Sequence, residues 1–127
     1  MNISTDKRNY GMLLLRLCVA LILMVHGVTG MVEDGLLGFG GYLAGQGFGS
    51  LGLAMAWVIK LSHVVAAACI VTRKWEMWPV LLTMVILVAG IFMVHLPNGW
   101  FVVGGGFNGI EFNLLLISAL AAILFDR

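Results

Sequence analysis

The chain has 127 residues, of which 61% are hydrophobic and 10% charged, with a formal net charge of +1. A soluble domain carries roughly 25% charged residues, and one this small leaves too much of its surface in water to hide so much apolar side chain. The balance excludes a soluble globular protein, a disordered chain and, for want of a basic patch, a nucleic-acid binder; it leaves an integral membrane protein in contact with the lipid bilayer.

Four apolar segments, at about 12–32, 51–72, 77–96 and 108–125, are long enough to consider as spans. A spanning helix needs roughly 20 residues, with a range of about 17–25, and in lipid each must be a helix, because an isolated strand leaves backbone groups unpaired. The first three fit. The fourth is at the lower limit and would cross nearly upright or begin in the Gly-rich turn before it. The first apolar stretch is too long for a cleavable signal peptide and is expected to remain as an anchor. The sequence thus predicts an all-α, polytopic four-helix transmembrane bundle formed as a single domain.

Basic residues orient it. Lys7, Arg8 and Arg16 lie at or before the start of the first span, Arg73 and Lys74 fill the short link between the second and third, and Arg127 follows the fourth. Glu33, Asp34 and Glu111 fall on the other side, which lacks Lys and Arg. The positive-inside rule then places both termini in the cytoplasm. Tyr10, Trp75 and Trp78 mark the inner interface, and Tyr42, Trp57 and Trp100 the outer one. Arg16, one turn into the first span, is expected to snorkel to the cytoplasmic interface; its other reading is as partner to a carboxylate in the bundle.

The outer loops are unusual. Residues 35–52, GLLGFGGYLAGQGFGSLG, are Gly-rich, uncharged and apolar, and 97–109, PNGWFVVGGGFNG, is similar. A solvated linker would be polar, so both are expected to lie on or dip into the outer interface, as a lid over the bundle or as plain interfacial turns. The G-x-G-x-x-G spacing at Gly47, Gly49 and Gly52 lacks the preceding strand that a dinucleotide site requires. Cys18 and Cys69 sit inside apolar runs, with no C-x-x-C pair or zinc spacing.

Ionisable residues inside a span are costly and usually face the protein interior. His26 lies in the first span, followed by Gly27 and Gly30, which let another helix approach. Lys60 and His63 share a face of the second at i and i+3, with Trp57 a turn above. His95 ends the third span before Pro97, and Glu111 opens the fourth, near Asn108 and Asn113. On four spans these converge in the outer half of the bundle. His26, His63, His95 and Glu111 are the candidate catalytic residues; His26, Lys60, His63, His95 and Trp100 form the candidate cofactor-binding set. Such imidazoles can relay protons to a quinone or, less favourably here, ligate a haem or a metal ion. A buried hydrogen-bond network that only fixes helix packing is the structural alternative.

Several stretches carry a family likeness in order along the chain. LLLRLCVALILMVHG, VTRKWEMWPVLL, MVHLPNGWF and GGGFNGIEFNLLL resemble the DoxX family of membrane proteins, from about Leu13 to Phe125. The VHLPNGWF element is the most specific of them. The resemblance implies a four-helix protein of the bacterial inner membrane, redox-linked through quinone or thiol chemistry, with membrane redox subunits as partners and His26, His95 and Glu111 at matching positions. Many members carry a Glu in the second span, where this chain has Lys60-Leu-Ser-His63. Two other functions fit the same residues. One is a small-solute or anion transporter using the charge of Lys60. The other is a non-catalytic assembly subunit, a homo-oligomer included, docking through small residues such as Ala66–Ala68 and Ala119, Ala121 and Ala122.

Overall fold

The computed structural model describes residues 3–32 and 34–127, with side chains from Tyr10 onward. Lys7, Arg8 and Glu33, which enter the charge pattern, lie outside the described side chains. The described residues are helical without any strand. Five helices are α1 (Ile3–Thr29), α2 (Gly35–Leu43), α3 (Gly52–Thr72), α4 (Met77–Gly90) and α5 (Glu111–Phe125). Three stretches are long and apolar enough to cross a membrane: Tyr10–Thr29, Gly35–Thr72 and Met77–Asn98. At 15 residues, α5 is shorter, about 22 Å at 1.5 Å per residue.

The Gly-rich segment after α1 forms a helix of its own. With no charged side chain to hold it in water, its backbone N–H and C=O groups must pair internally, and α2 does this while packing along the first turns of α3. Leu36 and Leu43 of α2 are buried with Ala56 of α3. The link from α2 to α3 is a wide π-type turn, Ala44–Phe48, and a short 3-10 turn, Gly49–Leu51. Gly47 and Gly49 have φ of 111° and 54°, so this G-x-G-x-x-G run serves a turn that other residues adopt only under strain.

The main core lies between α1, α3, α4 and α5, where Val19, Leu23, Ile70, Val80, Leu120 and Ile123 are buried. Ala66 and Ala67 are buried in this core, whereas Ala68 is exposed; two of the three small residues are therefore spent on packing within the bundle. The α1–α3 seam is close because Gly27 lacks a side chain: a Cβ there would stand 2.8 Å from Val64 Cγ2 and 2.9 Å from the Lys60 carbonyl oxygen. A backbone oxygen cannot step aside. Gly27→Ala is therefore expected to destabilise the protein by about 1–3 kcal/mol, read from unfolding in detergent. Gly38→Ala, with nothing within 4 Å of the added methyl, is the control and should be neutral or mildly stabilising.

At the end of the bundle bearing the α3–α4 turn, Arg16 is 3% exposed and does not reach out to an interface. Its guanidinium grips Glu76, with Nη1 2.6 Å from Oε2 and Nη2 3.2 Å from Oε1. It also donates to the Ile70 and Ile123 carbonyls, both at 3.3 Å, and to Asp126 Oδ2 at 3.3 Å. Arg73 closes the cluster with a 2.6 Å contact to Asp126. Snorkelling gives way to pairing because four elements meet at this point and present the Ile70 and Ile123 carbonyls near two helix C-termini, which favour a cation. Left-handed backbone at Arg73 (φ 60°) and Trp75 (φ 52°) makes the turn tight enough to set Glu76 facing Arg16.

Candidate functional site

At the opposite end, α1, α3, α4 and α5 enclose a cavity of about 360 Å³. Each wall follows from a local feature. Lys60 and His63, three residues apart on α3, point the same way. The Lys60 stem lies where a Cβ on Gly30 would stand, 2.5 Å from Cε, so Gly30 makes room for it. Its ammonium sits 5.0 Å from the centre of the Phe39 ring of α2, within cation–π range. After Gly90 the backbone of α4 widens into a π-type turn, Ile91–His95. Turns of this kind re-aim side chains and recur at functional sites. Here the turn sets His95 Nδ1 2.9 Å from the Asn108 carbonyl oxygen. A carbonyl only accepts, so Nδ1 carries the proton and Nε2 of the neutral ring is an acceptor.

His63 is 4% exposed, and neither of its ring nitrogens has a hydrogen-bond partner. The His26 ring stands 5.8 Å from it, centre to centre, with the planes tilted by 57°. Buried polar groups are ordinarily paired, and an imidazole with both nitrogens open has one donor and one acceptor to offer whatever enters the cavity. Asn113, buried on α5, donates to the Leu87 carbonyl at 3.1 Å and holds α5 to α4 beside the site.

The structure brings His26, Lys60, His63 and His95 to one cavity and adds Phe39, Asn108 and Asn113 to its lining. It does not bring Glu111 or Trp100 there. Glu111 accepts the Val102 N–H at 3.1 Å, and the Trp100 carbonyl accepts the Glu111 N–H at the same distance. Both belong to the folded loop between α4 and α5, which closes on itself through Gly109 N–H to Phe101 O and Ile110 N–H to Gly99 O. The Gly-rich loops thus act as partial covers, each lending one lining residue, Phe39 or Asn108. Among the described residues, no three His, Cys, Asp or Glu side chains stand close enough to hold a metal ion. Lys60 is the charged residue among those lining the cavity.

Reading the sequence missed Phe39 as a cation partner and the Glu76–Asp126 end of the Arg16 cluster. An Asn inside an apolar helix was a signal for Asn113, since an amide in lipid must find a partner. No protein-family model, curated protein or solved structure matches this chain.

Proposed function

We propose that this is a DoxX-like protein of the bacterial inner membrane that crosses the bilayer four times, keeps both termini in the cytoplasm, and serves as a redox-linked subunit binding a quinone head in the His63 cavity. The observation that carries the reading is the buried His63 ring with both nitrogens open, grouped with His26, Lys60 and His95. The fourth crossing is α5, which at 15 residues relies on the apolar start of the folded loop or on local bilayer thinning. The orientation rests on Arg16, Arg73 and Arg127, which share the end of the bundle away from the cavity.

The cavity suits a quinone. The bound group would supply a reversible two-electron, two-proton couple, with electrons exchanged through a partner redox subunit. The chain's residues do the rest. The Lys60 ammonium and an imidazole N–H can donate to carbonyl oxygens. His63, with a donor and an acceptor face and no hydrogen bond to the His26 ring 5.8 Å away, can exchange a proton with His26 only by way of a bridging water or the bound head. His95, its tautomer fixed by Asn108, keeps Nε2 ready to accept. Phe39 and the aliphatic wall restrict water, so these polar contacts weigh more than they would in bulk solvent.

Lys60 also favours a second reading, a transporter of small anions, because no carboxylate lines the cavity among the described residues. Two measurements separate the two. The full chain in nanodiscs is expected to bind decylubiquinone saturably at about one per chain, while liposomes carrying it show no flux of thiosulfate, sulfite or chloride. Absence of saturable quinone binding together with anion flux would replace the first reading by the second.

A further inference from the structure

Beside the polar cavity lies an apolar groove of about 290 Å³ between α2, α3 and α4. Its rim includes Leu82 and Val85 on the outward face of α4, 44% and 64% exposed. Tyr42 of α2 reaches across and donates to the Met93 carbonyl at 3.1 Å, tying α2 to α4 at the groove's far end. The two spaces adjoin and share a wall: Phe39, Ile59, Ile86, Gly90 and Val94 line both.

Gly90 marks the junction, and the usual reasons for a glycine do not account for it. Its backbone is ordinary right-handed helix, with φ of −60° and ψ of −36°. No helix is pressed against it, since a Cβ there would meet only Asn113 Nδ2, at an ordinary 3.5 Å. A glycine in mid-helix costs backbone entropy. What it leaves here is a thin, side-chain-free stretch of the wall that the polar chamber shares with the lipid-facing groove.

We propose that cavity and groove are one two-compartment site for a membrane-borne amphiphile, with a hydrogen-bond-accepting head among Lys60, His26 and His63 and a long apolar chain lying in the groove and passing the bare Gly90 position. The ligand then enters sideways from the bilayer rather than from water. This rests on the reading that the cavity holds a polar head and adds the tail compartment and the route to it.

The test compares two probes with the full chain in nanodiscs: decylubiquinone, and its tail-free dimethoxy-methyl-benzoquinone head. Ala89→Phe and Val85→Trp each fill the groove from exposed positions on α4 that line the groove and not the polar cavity, and each is the safeguard should the other disturb folding. The expected result is that each variant weakens decylubiquinone binding about tenfold or more, the equivalent of leaving a few methylenes unburied, while binding of the bare head changes less than about twofold. Should both variants bind the two probes as the wild type does, the groove holds only bilayer chains and the tail compartment is refuted, with the head site standing. Should the wild type bind neither probe saturably, the head site and the tail compartment fall together.

Discussion

Glu76→Gln is expected to cost the protein about 3–5 kcal/mol of stability, the largest effect of any single change at the turn end of the bundle. The substitution preserves size and removes only the charge facing Arg16. The guanidinium, 3% exposed, would keep part of its hydrogen bonding to Ile70, Ile123 and Asp126 but lose the carboxylate that compensates its burial. Breaking a buried ion pair from one side is costly for that reason. The double replacement Arg16→Met with Glu76→Met, which removes both charges and leaves apolar volume, should recover most of the loss. Unfolding of the purified protein in mixed micelles measures both. A small loss in the single variant with a larger one in the double would show that the carbonyl contacts of Arg16, and not the ion pair, hold the four elements together.

His63→Leu is expected to separate binding from stability. Loss of a donor and an acceptor to the ligand should weaken decylubiquinone binding about tenfold to thirtyfold, corresponding to one or two hydrogen bonds in a sheltered site. Stability should not fall and should rise by up to about 1–2 kcal/mol, because a buried ring with two open nitrogens is replaced by a side chain with nothing to satisfy. Titration in nanodiscs and unfolding in micelles give the two readouts. An unchanged affinity with a clear loss of stability would mean that His63 is a packing residue and that the cavity is no binding site.

The contrast between Arg16 and His63 shows where reading the chain succeeds and stops. Both were visible as ionisable residues in apolar helices, and the cost of such residues in lipid marked them as inward-facing or snorkelling. Periodicity alone could not say which. Arg16 is paired because a left-handed turn at Arg73 and Trp75 delivers Glu76, and the pattern of apolar residues carries no trace of that turn. His26, Lys60, His63 and His95 line one cavity, with His63 buried, Lys60 and His95 half-buried and His26 at its exposed edge. Glu111 stands near them along the chain yet is absorbed by the fold of its own loop. A carboxylate at a helix start satisfies nearby backbone N–H groups, and sequence proximity does not reveal which of them it will choose.

Composition and hydrophobic length settled that helices long and apolar enough to cross a bilayer would form, because a backbone in lipid has no other way to pair its polar groups. Gly27 and Gly30 likewise announced a close seam with another helix, a local property of residues without side chains. The tertiary structure alone decided that the apolar Gly-rich stretch becomes helix α2 packed on α3, that the α4 backbone widens to set His95 against Asn108, and that a polar chamber and an apolar groove share a wall at Gly90. Those features depend on which distant atoms fill, or leave empty, the space beside a residue, and a linear pattern of polarity does not encode that distance.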